Sequence, residues 1–211
     1  IECIKKSTKT LYITDELYHY CNNFINGTRE PNNWSIDSLL GENLECNEKI
    51  FYNCSNYYVD NVVQRPMKMI DQNNPYIIGY CGSIVYYEGI YEAIIAIEKL
   101  IKETNLNIEV HILGNIGTII KEEEEFGLVR YTDLINKSFV KIIPKVPHNE
   151  VKEIILKFDL YMIPRLDLPV TNIVSPLKPF EPMALKIPLI MSDCLCLNKI
   201  SNNGTNCMMF K

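Results

Sequence analysis

From Tyr76 onward, short apolar runs alternate with segments of helical period, and this alternation limits the fold more than any other feature of the chain. Tyr76-Ile-Ile-Gly-Tyr-Cys81 reads as a buried strand broken by Gly82-Ser83. Residues 89–103 then place Ile90, Ala93, Ile94, Ile97, Leu100 and Ile101 on one helical face. Ile108-Glu-Val-His-Ile-Leu113 is the next strand, stopped by Gly114, and a helix is expected over 118–126. Residues 139–143 form a third strand, residues 149–158 a helix with Val151, Ile154, Ile155 and Phe158 inward, and residues 159–163 a fourth strand. A helix from Pro176, a strand over 188–191 and a last short strand over 206–210 complete the pattern. Such alternation predicts an α/β fold, a Rossmann-like doubly wound parallel sheet with helices on both faces. Ligands of these sheets bind at the carboxyl ends of the strands, which here means the loops 82–89, 114–117 and 164–175.

Residues 1–74 read differently. Strands are expected over 10–13 and 49–52 and a helix over 15–24, while 27–47 is polar and rich in turn formers. Two strands and a helix cannot bury a core alone. Residues 1–62 therefore read as the end of a preceding, incomplete domain, 63–74 as a linker, and 75–211 as the strand–helix domain whose carboxyl edge would take a ligand. The acidic run 122–125 is a solvated helix face.

Charge and cysteine usage exclude several functions. A formal charge of −5 and a pI near 5.3 argue against wide contact with nucleic acid, which needs a basic footprint. The 8 cysteines include no C-x-x-C pair, so no structural metal is expected. Scattered thiols suit a reduced, cytoplasmic protein. Sequons at Asn26, Asn33, Asn53, Asn136 and Asn203 come without a secretory signal and are read as unmodified. No apolar run is long enough to span a membrane.

Chemistry concentrates in Ser175-Pro-Leu-Lys-Pro-Phe-Glu181, which leads into the apolar strand near Leu189. Ser175 followed by Pro176 suits a helix start, whose unpaired N–H groups attract phosphate. Lys178 adds a cation in the first turn, and Glu181 follows three residues later on the same face. The spacing therefore points to a phosphate held beside a sugar hydroxyl.

Five segments in order resemble the family-4, group 1 glycosyltransferases of the two-domain GT-B architecture. Gly79-Tyr-Cys-Gly82-Ser-Ile-Val-Tyr-Tyr-Glu88-Gly89 is similar to the first strand–loop–helix of that family's C-terminal domain. Leu113-Gly114-Asn115 is similar to its second glycine turn, and Pro147-His-Asn-Glu150 with Asp159 and Pro164 to its P-H-x-E…D…P run. Ser175 to Glu181 resembles the donor loop and helix, and Asn203 to Phe210 the G-x-x-G-x-L-F strand. Residues 11–14 and 49–60 are similar to the last strands of the N-terminal domain.

The resemblance implies transfer of a sugar from a nucleoside diphosphate, usually with retention, to a glycan or lipid-linked acceptor. It implies a UDP-sugar, or a GDP-sugar, as donor, with no separate cofactor and no metal. By position, the Ser175-Pro176-Leu177-Lys178 stretch would hold the diphosphate through the amides of Ser175, Leu177 and Lys178. Glu181 would take the ribose hydroxyls. Gly82 and Ser83 would approach the phosphates, Arg165 would add a bidentate cation, and His148 and Gly114 would lie towards the base. His148 as a surface histidine, and Arg165 as a loop residue paired with Asp167, remain open alternatives. Tyr86 and Tyr87 are read as packing or rim residues. The catalytic residues are unassigned, and the acceptor domain and final helices lie mostly outside these residues. The chain alone is thus expected to bind donor at most, in the cytoplasm, with peripheral contact to the inner membrane face through the N-terminal domain.

Three positions depart from the family pattern. Glu88 stands where a cation is common, Ile173 replaces a glutamate eight residues before Glu181, and Pro182 stands where Ala is usual and would remove a helix hydrogen bond. Two other classes compete. A nicotinamide or flavin enzyme would need G-x-G-x-x-G in the first turn and an acid after the second strand; the chain has neither. A nucleotide-binding or scaffold protein of the same fold without catalysis is favoured by Ile173 and Glu88.

Overall fold

The computed structural model describes residues 68–114, 133, 135–201 and 203–211, together with two short strands nearer the N-terminus. Those two, β1 (Leu11–Tyr12) and β2 (Lys49–Ile50), pair in parallel. The expected helices over 15–24 and 118–126 and the acidic run 122–125 lie outside the described residues.

Six strands build the main sheet: β3 (Tyr76–Cys81), β4 (Ile108–Leu113), β5 (Val140–Ile143), β6 (Leu160–Ile163), β7 (Leu189–Ser192) and β8 (Met208–Phe210). Their order is β5-β4-β3-β6-β7-β8, every pair parallel. The chain first winds from β3 out to β5, then crosses back to β6 and winds the other way. The point where the winding reverses lies between β3 and β6, and the crevice beyond their carboxyl ends is where such sheets take ligands.

Alternation along each strand divides the core into two layers. Ile78 and Tyr80 of β3, Val110 and Ile112 of β4 and Met162 of β6 face α1 (Ile90–Thr104), which buries Ile90, Ile94 and Ile97 against them. Leu100, expected inward, is 40% exposed, because the buried stripe passes through Ile97 and Ile101 instead. On the opposite face, Tyr161 and Ile163 of β6 and Leu189 and Met191 of β7 pack with Ile155 and Phe158. Ile155 ends α2 (His148–Ile155). Leu185 and Leu197, following α4 (Phe180–Ala184) and within α5 (Leu195–Asn198), close this layer.

Three local features differ from the sequence expectation. The helix expected from Pro176 begins at Phe180, and its N-cap is Pro179. Proline disfavours helical backbone at the residue before it, so Pro179 keeps Lys178 out of a helix. Ser175 is consequently no helix cap. With this start, Pro182 falls in the first turn, where its missing N–H removes no bond. A helix, α3 (Pro169–Ile173), also lies inside the stretch read as a loop. Pro169 suits its first turn, while Thr171 Oγ1 accepts from Leu168 N–H at 2.9 Å and donates to the Leu166 carbonyl at 2.5 Å. The short α5 was not foreseen; its first N–H, from Leu195, donates to Asn172 Oδ1 at 2.7 Å.

The opposite, amino edge of the sheet is held by Asp159. Its Oδ2 accepts from Ile77 N–H at 2.8 Å and from Lys68 Nζ at 2.8 Å, while Lys68 also donates to the Pro75 carbonyl at 2.7 Å. This joins the start of β3 to the start of β6 below the crevice.

Packing between β3 and Phe158 leaves no room for a side chain at position 79. A Cβ on Gly79 would overlap the Phe158 ring, which is fully buried. Gly79→Ala is therefore expected to cost about 1–3 kcal/mol, the usual range for overpacking a core. Urea unfolding of the two proteins measures this; equal midpoints would contradict the packing described.

Candidate functional site

Three loops converge beyond the carboxyl ends of β3, β4 and β6. Gly82 N–H continues the ladder to the Leu113 carbonyl at 2.9 Å, and Gly114 N–H continues it to Ile143 at 3.1 Å. A Cβ on Gly114 would overlap the Gly82 carbonyl oxygen. A Cβ on Gly82, whose φ is +145°, would overlap the Lys178 stem. The two glycines thus let backbone and a lysine crowd into one place, as close approach to a phosphate requires. Ser83 is exposed, and its carbonyl accepts from Tyr80 OH at 2.8 Å.

The centre of the site is Glu88, which the sequence offered only as a missing cation. It ends a 3₁₀ turn, Tyr86–Glu88, and is 3% exposed. Its Oε1 accepts from Lys178 Nζ at 2.8 Å and lies 3.6 Å from Arg165 Nη2. Arg165 does not pair with Asp167, whose Oδ1 accepts from Asn172 Nδ2 at 2.6 Å. Instead, Arg165 Nη1 donates to the Val174 carbonyl at 2.8 Å, and its guanidinium lies 5.9 Å from the centre of the Tyr87 ring. Lys178 Nζ sits 5.6 Å from the centre of the Tyr80 ring. Tyr87 and Tyr80 therefore flank the two cations; Tyr86 stays on the rim, 43% exposed.

Among the described residues, these contacts leave Glu88 Oε2 and Arg165 Nε buried without a hydrogen-bond partner. One carboxylate and two cations leave a net positive charge in a largely dry place, where charge acts far more strongly than in water.

The loop that follows Val174, the carbonyl partner of Arg165, carries the rest of the predicted site. Ser175 and Pro176 are buried, while Leu177 is 56% exposed. Among the described residues, no backbone carbonyl accepts from the N–H groups of Leu177 or Lys178. Glu181 lies in the first turn of α4. Burial holds its carboxyl above the usual value, against a lowering influence from His148. Cys81, at the end of β3, is pushed up to about 12 by burial and by the Glu181 charge, with Lys178 opposing. Burial, and then the Glu88 carboxylate, raise the Tyr80 hydroxyl far above its ordinary range.

The structure therefore gathers Gly82, Gly114, Arg165 and Lys178 into one cluster, and joins Glu181 to His148 and Cys81 electrostatically. His148 itself is exposed at the start of α2, and Ser83 turns away to solvent. Ile173 is buried in α3, 4% exposed, and as an isoleucine it carries no carboxylate. The signal that could have marked Glu88 was weak: one acid among apolar and aromatic residues, in a loop opposite two cations. Among the described residues, no group of three or more His, Cys, Asp or Glu could hold a metal ion, and no helix is long and apolar enough to cross a membrane.

Comparison with known proteins gives this geometry a family. The family model described as "Glycosyl transferases group 1" matches residues 67–211. Among solved structures, TarM superposes with a TM-score of 0.55 at 15% identity, over 98% of this chain and 34% of that one. The apo lipopolysaccharide outer core galactosyltransferase WaaB gives 0.53 at 14% identity, over 100% of this chain and 50% of that one. Anabaena Alr3699/HepE in complex with UDP-glucose gives 0.51 at 13% identity, over 65% of this chain and 35% of that one. The chain thus spans between a third and a half of their lengths, and the likeness is one of fold, the GT-B glycosyltransferase fold. No curated protein sequence matches it. By the family model, which covers well over half of its residues, the chain belongs to the group 1 glycosyl transferases.

Proposed function

We propose that this chain binds the donor of a glycosyltransferase that moves a sugar from a nucleoside diphosphate, UDP by preference, to a glycan or lipid-linked acceptor. The observation that carries this reading is the cluster at the sheet's reversal point, where Lys178 lies against Gly82, Gly82 against Gly114, and Arg165 joins Lys178 through Glu88. In this reading the diphosphate lies over Gly82 and Gly114 and is held by Lys178, Arg165 and the N–H groups of Leu177 and Lys178. Charge-assisted bonds of this kind are the strong ones. Glu181 then takes the vicinal ribose hydroxyls, and His148 lies on the base side.

HepE supports the choice of nucleotide as a fold neighbour with UDP-glucose bound. The family resemblance adds retention of configuration and transfer of a hexose, and a donor site that needs no metal. It also adds the boundaries: residues 1–62 from an acceptor-side domain, a linker over 63–74, and a donor domain from 75. Cytoplasmic work at a membrane face belongs to the same proposal.

A second reading, a nucleotide-binding or scaffold protein of this fold without catalysis, draws on Ile173. A buried isoleucine offers no carboxylate to the donor sugar where the family has glutamate.

Calorimetry with UDP, GDP, ADP and NAD separates these readings from each other and from a dinucleotide enzyme. UDP binding that weakens about tenfold in Glu181→Ala, the scale of losing one hydrogen bond to a charged group, is the expected result. NAD binding alone would refute the donor site, and nucleotide binding without sugar transfer by the intact enzyme would favour the second reading.

Glu181 also predicts a conflict between binding and stability. Its carboxyl is raised above 4.5 in the folded state by burial, so the neutral form is favoured by folding. Its stabilising contribution is complete below that value and is lost as pH rises through the raised one. Glu181→Gln should therefore raise the melting temperature at neutral pH, with the gain disappearing below pH 4.5. Thermal melts across that range check this; a gain independent of pH would contradict it.

A further inference from the structure

Glu88 has no part in the donor reading above, yet it touches both cations that reading depends on. It is 3% exposed, and one of its oxygens is shared between Lys178 and Arg165. A buried carboxylate between two cations either holds them in place or competes with the phosphate for them. The backbone around it favours the first.

Glu88 cannot move far. Gly89 follows it at a φ of +65°, and a Cβ there would overlap the Pro164 carbonyl oxygen. Leu166 N–H donates to the Tyr87 carbonyl at 3.0 Å. The turn carrying Glu88 is thus pinned by main-chain contacts to the residues flanking Arg165. Arg165 in turn grips Val174 at the head of the 174–178 loop, and Glu88 grips Lys178 at its tail. One carboxylate therefore fixes both ends of the segment whose N–H groups would face the diphosphate. Without it, Lys178 has a flexible four-carbon stem and a route to solvent, and Arg165 keeps a buried charge without a counter-ion.

We propose that Glu88 is a positioning residue for the donor diphosphate. It holds Lys178 over Gly82, and the diphosphate then takes a share of the lysine's hydrogen bonds. Glu88 Oε2 and Arg165 Nε, both buried and without a hydrogen-bond partner among the described residues, mark a charge network whose bonding is incomplete there. This inference rests on the donor reading and goes beyond it by assigning a role to an acidic residue that touches no phosphate.

The test is a calorimetric cycle on the protein, Glu88→Gln, Lys178→Met and the double variant, with UDP and uridine as probes. Glu88→Gln keeps size and one acceptor oxygen and removes the charge. It should weaken UDP binding about tenfold, the scale of one well-placed charged contact, and leave uridine affinity unchanged. Lys178→Met should do the same. The double variant should bind UDP no more than about twofold worse than Lys178→Met alone, because the two residues act as a unit. Uridine is the control a merely structural role would not pass, since general loosening weakens both probes. Tighter UDP binding in Glu88→Gln would show that the carboxylate only competes, and would overturn the inference. Losses that simply multiply in the double variant, or equal losses for uridine, would overturn it too. Should Glu88→Gln not fold, Lys178→Met carries the test: UDP affinity unchanged there overturns the inference. A native protein that binds none of the nucleotides would overturn the donor reading itself, a result distinct from each of these.

Discussion

The close approach of Gly89 to the carbonyl of Pro164 sets the geometry of the carboxyl edge, because it presses the turn after β3 against the end of β6. Only a residue without Cβ fits there, and only glycine readily takes the left-handed backbone at that point. The contact brings Glu88 beside Arg165, and Arg165 beside the loop that carries Lys178. Asp159 performs the matching task at the amino edge, tying the starts of β3 and β6 together. The reversal point of the sheet is thus held at both ends.

Burying three charges at the carboxyl edge is not a route to stability. Desolvation offsets much of the attraction within such a cluster. Its use lies in preorganisation: side chains already fixed before a ligand arrives lose less freedom on binding. Within the Glu88–Lys178–Arg165 cluster the two cations outnumber the carboxylate, and they come from loops after β6 and before α4 rather than from the loop after β3. That difference in origin explains how Glu88 can occupy a place where the family often has a cation. The aromatic rings of Tyr80 and Tyr87 lie beside the same two cations and exclude water from one side of each.

The donor loop shows how proline spacing overrides a simple capping signal. Ser175-Pro176 has the chemistry of a helix start, but Pro179 comes too soon for a helix to run through Lys178. The chain instead turns through 174–179 and begins a five-residue helix at Phe180. So short a helix carries little dipole, and in the proposed donor site the phosphate contacts fall to Lys178, Arg165 and the turn N–H groups. Pro182, which looked costly, fits because it falls within that first turn.

Periodicity alone determined the strands of the main sheet, their parallel arrangement and, Leu100 apart, the inward residues of α1, since burial against a two-sided sheet demands those patterns. It also marked the carboxyl edge of the sheet, where Gly82 and Gly114 end β3 and β4, while the Ser175–Glu181 segment singled out Lys178 and Glu181. Sequence could not show which charges meet. Glu88 and Lys178 are 90 residues apart and come together only because β3 and β6 are neighbours in the sheet. The pairing of Arg165 with Glu88 was decided the same way, by packing between segments distant in the chain. Local patterns specify local geometry, whereas a buried ion pair exists only where the folded backbone has already removed the water.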